Sequence, residues 1–151
     1  MLKPIAVATA IAGTLDILSA VVFSIMAGST PIHMLQSVAS GPFGDAALTS
    51  TSYAPLGLLV HFAIMTCMVT AYMVVAQRSR LLLDRPILAG ALYGILLWLV
   101  MYWVVMPLRF HISHPSLPVP IAKQLFSHII LVGIPIGLVA RRYLRSQSPA
   151  Q

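Results

Sequence analysis

The chain has 151 residues, of which 59% are hydrophobic and only 8% charged, with a formal net charge of +6 and a mean hydropathy of +0.94. Such a composition cannot cover a water-soluble globule with polar surface, so the exterior must face lipid, and the length holds roughly four or five spanning helices in one domain. The positive charge does not indicate nucleic acid, because the basic residues sit at the ends of apolar runs and no polar basic domain presents them.

The first apolar run covers about residues 4–27. Lys3 and the small residues at Ala27 to Ser29 imitate a signal peptide, but the run exceeds the usual apolar core of about 7 to 15 residues and reads as a span. Thr9, Gly13, Asp16, Ala20 and Ser24 share one helical face and form a small, polar stripe that lets another helix approach. Thr30-Pro31 then supplies an N-cap for an amphipathic surface helix over about residues 30–41. Ile32, Leu35, Val38 and Ala39 take its apolar face, His33, Gln36, Ser37 and Ser40 its polar face, and Gly41-Pro42 is expected to end it. Residues 43–53 read as an exposed loop.

The remaining spans are expected over about residues 55–76, 86–106 and 120–140, each long enough to cross a hydrocarbon core of about 30 Å. Every run opens at or beside a proline, which costs no hydrogen bond at a first helical position. Cys67 has no partner in the chain, so no intrachain disulfide forms, and Met65, Met68 and Met73 read as adaptable filling. Tyr93, Trp98, Tyr102 and Trp103 read as a packing or lipid-facing set, the last two near an aromatic belt. Gly90-xxx-Gly94 and Gly133-xxx-Gly137 are helix-packing motifs, and Pro135 should bend the fourth span by freeing the carbonyl of Leu131.

Lys3, Arg78, Arg80, Arg85, Arg141, Arg142 and Arg145 fall on one side of an alternating four-span chain, against Arg109 and Lys123 on the other. The positive-inside rule therefore puts both termini in the cytoplasm. A weak repeat pairs Ala12-Gly13 and His61-Phe62 of the first hairpin with Ala89-Gly90 and His128-Ile129 of the second, as two parallel repeats would.

Asp16 comes out roughly 17 Å above the cytoplasmic boundary and His61 and His128 roughly 21 Å, so the three share one depth, with Gln124 on the face of His128. A charge there costs at least about 2.5 to 3.5 kcal/mol, so each group should point into the bundle. As structural glue they would form interhelical bonds worth about 0.6 kcal/mol each; as a path they would relay protons or hold a ligand. Two imidazoles at one depth also suit haem b ligation or a quinone pocket, although no fingerprint implies a cofactor. At the opposite surface Arg109, His111, His114 and Lys123 form a candidate contact for an anionic ligand or lipid headgroups, and HxxH alone makes no metal site.

The stretch Gly90-Ala-Leu-Tyr-Gly-Ile-Leu-Leu-Trp-Leu-Val-Met-Tyr-Trp-Val-Val-Met-Pro107-Leu-Arg109, with Phe126-Ser-His128-Ile-Ile-Leu-Val-Gly133 and His61-Phe62, resembles the YagU-like family of small bacterial inner-membrane proteins. The resemblance implies an inner-membrane helical bundle and brings no catalytic residues.

No nucleophile with its base, phosphate loop or closed metal motif is present, which argues against an ordinary enzyme. The sequence thus predicts an all-α, four-span protein of the bacterial inner membrane. Its leading role is a non-enzymatic accessory or stress-related component whose Asp16, His61, His128 and Gln124 organise the bundle. The rivals are a channel or proton-coupled transporter using those residues, and a haem or quinone protein. The lipid bilayer is the expected partner, with room for a homo-oligomer or another membrane protein.

Overall fold

A proline stands in the first turn of every long helix, and a glycine with positive φ follows each of the first two. The computed structural model describes residues 1–111 and 117–145, which are 90% helical with no strand. Four helices are long and apolar enough to cross a membrane, and the protein is an integral membrane protein of the all-α class. The first span is α1 (Leu2–Met26), followed by the surface helix α2 (Pro31–Phe43). Two single 3-10 turns lead into α3 (Ala54–Ala76), and the short α4 (Arg80–Asp84) precedes α5 (Pro86–Phe110). The last span is α6 (Pro118–Leu144).

Helix α1 packs on α3 and on α6, and α5 packs on α6, while α3 and α5 meet through side chains such as Tyr93, whose hydroxyl donates to the Met68 carbonyl; the result is an up-down-up-down bundle with both termini at one end and α2 at the other. The size pattern is that of a protein in lipid. Ala8, Ala12, Ala76 and Ala140 are wholly buried, whereas Leu18, Leu59, Leu88, Leu92, Leu96 and Leu138 face outward. Lipid tails are as apolar as leucine, so leucines gain little by going inside, and small residues let backbones touch.

Helices α5 and α6 touch backbone to backbone along several turns. A methyl group on Gly90 would overlap the backbone at Gly133 and Ile134, one on Gly94 the backbone at His128 and Ile129, and one on Gly137 the Pro86 carbonyl. The two Gly-xxx-Gly motifs therefore meet each other.

Two prolines interrupt these same helices. Pro107 and Pro135 have no N–H and crowd the carbonyl four residues back, and the stretches just before them, Val100–Val105 and Ser127–Gly133, are π-helical. Met106 N–H bonds the Met101 carbonyl and Ile134 N–H the Ile129 carbonyl, each five residues back, so the break expected at Pro135 is absorbed as a wider turn. The same adjustment carries α5 through Pro107 to Phe110, past the boundary expected at residue 106.

The surface helix departs from expectation at its end and in its orientation. It continues through Gly41 and Pro42 to Phe43 and stops at Gly44, whose φ of 77° favours glycine. Its buried side is Gln36, Ala39 and Ser40, while Ile32 and His33 are both exposed, so the side toward the bundle straddles the two expected faces and takes Gln36 and Ser40 inward with Ala39. Two contacts explain this: the Leu35 backbone lies against Gly57, where no Cβ would fit, and Arg109 bonds carbonyls at the end of α2. The segment read as an exposed loop holds the 3-10 turns Asp45–Leu48 and Thr51–Tyr53, with Ala47 fully buried.

Gly133→Val should force α5 and α6 apart at a cost of about 2 kcal/mol or more, read as a lower melting temperature in detergent. Gly41→Ala, where nothing lies within 4 Å of the added methyl, should leave it unchanged or slightly raised.

Candidate functional site

A subset of the polar residues of the four spans gathers where the helices face one another, while others such as Thr14 and Thr66 face outward. On α1, Gly13 lacks the side chain that would collide with Phe62, whose Cε1 lies 2.7 Å from where a methyl group would stand. That close fit lets the neighbouring residue, His61 on α3, reach across: its Nε2–H donates to the Gly13 carbonyl at 2.9 Å. On α6, the His128 Nδ1–H donates to the Gln124 carbonyl one turn earlier, also at 2.9 Å. A carbonyl oxygen only accepts, so each neutral imidazole is held as one tautomer, leaving lone pairs on Nδ1 of His61 and Nε2 of His128.

Gln124 is joined to α5 through its side chain, whose Oε1 accepts from Trp98 Nε1 at 3.2 Å. One turn along both helices, the Tyr102 and His128 rings meet edge to face with centroids 5.9 Å apart. Both rings lie in the π-helical stretches. Ser19 completes the link between α1 and α6: its Oγ lies 2.8 Å from the Asp16 carbonyl, to which it donates, and 2.7 Å from Ser127 Oγ.

Asp16 is half-buried and lies within electrostatic reach of His128, His61 and Tyr102. Among the described residues no donor bonds its carboxylate, and neither imidazole stands at ion-pair distance; the one ion pair there, Arg145 with Asp84 at 3.5 Å, is exposed near the terminal end. The structure thus brings Asp16, His61, His128 and Gln124 to one region without joining acid to base directly. Nor do three His, Cys, Asp or Glu side chains among the described residues come together as a metal site.

The other candidate set divides. Arg109 forks onto the Gly41 and Ser40 carbonyls of α2, both at 2.6 Å. Lys123 lies over the Phe23 ring of α1, 5.4 Å from its centroid. His111 is exposed, with a left-handed φ of 52° that ends α5, and His114 lies outside the described residues. Among the described residues no common partner unites Arg109, Lys123 and His111.

Four members of the cluster escape sequence reasoning: Ser19, Trp98, Tyr102 and Ser127. A signal exists, because Pro86, Gly90, Gly94, Trp98 and Tyr102 recur every four residues and so form one stripe on α5. Two further hydroxyls inside the bundle, Thr9 Oγ1 and Tyr72 Oη, are buried without a hydrogen-bond partner. Comparison of the chain with protein-family models, with curated proteins and with solved structures finds no match.

If the Trp98–Gln124 bond holds α5 to α6, Trp98→Phe and Gln124→Leu should be coupled. A double-mutant cycle on thermal or denaturant stability in micelles should return about 0.6 kcal/mol; additive losses would mean that the bond contributes nothing.

Proposed function

We propose that this integral membrane protein belongs to a bacterial inner membrane, with both termini in the cytoplasm, and that Asp16, His61 and His128 form a proton-exchange site inside the bundle. The protein is then a channel or proton-coupled carrier. Orientation is supported by charge: Lys3, Arg78, Arg80, Arg85, Arg141, Arg142 and Arg145 lie toward the terminal end, and only Arg109 and Lys123 toward the other.

One observation carries the functional reading. Groups used only to hold helices together end in closed bonds, because an unmet polar group in a bilayer is expensive. Here the Asp16 carboxylate has no donor, and each imidazole keeps a nitrogen free of hydrogen bonds among the described residues. An acid and two bases within electrostatic reach, each with unused capacity, are equipped to take up and pass protons, directly or through water.

The accessory reading rests on the other bonds. Ser19 with Ser127, Trp98 with Gln124 and His61 with the Gly13 carbonyl are joints between helices, and they would serve a purely structural protein equally well. Haem fits less well. Ligation by both imidazoles needs two nitrogens turned on one iron, and His61 spends Nε2 on Gly13, leaving Nδ1 alone. The resemblance to the YagU-like family adds location and no chemistry.

Proteoliposomes decide between the first two readings. Asp16→Asn is isosteric and cannot exchange a proton, so proton flux should fall by about tenfold or more, the scale on which a positioned acid or base contributes. Equal flux from the parent and the variant would remove the proton-exchange reading and leave the structural one.

A further inference from the structure

Several independent features of the structure meet on α2. It is flanked by Gly28 and Gly44, with φ of 78° and 77° and nothing packed within 4 Å of where a side chain would stand. Its Leu35 carbonyl lies on Gly57, and His61 follows Gly57 by four residues on the same face of α3, about 6 Å deeper in the bundle. Gln36 and Ser40 are 6% and 1% exposed, so the helix presents polar groups inward over that end of the cluster. Its far end is held by Arg109, which donates through Nε to the Gly41 carbonyl and through Nη2 to the Ser40 carbonyl.

The end of the helix explains why a side chain is useful there. The Ser40 carbonyl accepts from the Gly44 N–H at 3.0 Å, but the helix stops at Phe43, so the Gly41 carbonyl has no further turn to bond, and Arg109 donates to both. An arginine is suited to the task, because its planar fork reaches two adjacent carbonyls with charge-assisted bonds. The helix also packs along α3, with the Leu35 carbonyl on Gly57 and the Phe43 ring against Tyr53, and Gln36 Nε2 stands 3.4 Å from the Leu48 carbonyl; the Arg109 fork is what adds charge-assisted bonds to this packing.

We infer that α2 is a lid over the α2-side mouth of the bundle, hinged at Gly28 and Gly44 and latched by Arg109, and that release of the latch opens the polar cluster on that side. The lid stands on the geometry of α2 alone; its role as a gate rests on the proton-exchange reading.

The test places one reporter beneath the lid. In a Cys67→Ser background, Gln36→Cys is labelled in nanodiscs with a charged, membrane-impermeant maleimide. Arg109→Ala should raise the labelling rate by at least about tenfold, the factor that one charge-assisted hydrogen bond is worth. Arg109→Lys, which keeps the charge and loses the fork, should raise it less. Cysteine at Val69, buried in the core, should stay unlabelled in both variants and so report intact packing. Where the alanine variant labels at Val69 as well, the lysine variant decides.

An unchanged rate at Gln36→Cys in a folded latch variant overturns the lid. Faster labelling with unaltered proton flux keeps a mobile α2 and overturns its role as a gate. Flux that rises on unlatching and is lost again with Asp16→Asn supports both together, whereas flux that rises yet ignores Asp16 sinks the proton-exchange site and spares the lid.

Discussion

The distance between α5 and α6 sets the geometry of the site. In lipid no hydrophobic force drives helices together, so their separation is decided by what stands between the backbones. At Gly90, Gly94, Gly133 and Gly137 nothing does, and the chains touch main chain to main chain. On α5 the same four-residue stripe then changes from glycine to aromatic at Trp98 and Tyr102. The gap that begins there is filled by one ring and one hydrogen bond from each helix: indole to Gln124, phenol ring against the His128 imidazole. Widening the glycine contact by even a methyl would stretch the 3.2 Å indole bond past useful length, so the small residues at one end determine whether the polar groups at the other can meet.

The polar cluster has two layers with different physics. One is closed: hydroxyl to hydroxyl, indole to amide, imidazole to carbonyl. These bonds are worth little individually, about 0.6 kcal/mol, since polar groups find partners in the unfolded membrane state too. The other layer is open and consists of the Asp16 carboxylate and one nitrogen on each histidine. The closed layer fixes the tautomers and so determines which nitrogens remain, which makes the structural bonds a precondition for any proton chemistry rather than a competitor to it.

The fold is largely legible in the sequence, because span length and proline starts follow from bilayer thickness and local sterics. Depth is legible for the same reason, so that counting residues places Asp16, His61 and His128 at one level. Partners are not. His61 bonds a backbone carbonyl, and nothing in the identity of Gly13 announces an acceptor, since every residue carries one. Trp98 and Tyr102 read as packing because aromatic rings near helix ends usually anchor in headgroups; their four-residue spacing from Gly90 and Gly94, which aims them at α6, carries the better information. The π-helical turns are half visible: prolines at 107 and 135 announce a defect in the ladder, but whether it becomes a kink or a wider turn depends on the neighbouring helix.

Amphipathicity places only part of α2, with Ala39 inside and His33 outside, and misses Gln36 and Ser40 for an instructive reason. A polar face on a surface helix is assigned to water when water is the only polar medium considered. At the α2 end of this bundle there is another, formed by the last carbonyls of a helix that stops at Gly44 and by an arginine held there on α5. Once Arg109 takes the Ser40 carbonyl, the side of α2 bearing Ser40 must face the bundle, and Gln36, one turn earlier, is carried inward with it. The orientation of the whole helix is thus set by where its last carbonyls find donors. The same bonds commit two donors of a guanidinium that the sequence offers to lipid headgroups, so the charge at this end of the protein acts first on its own backbone.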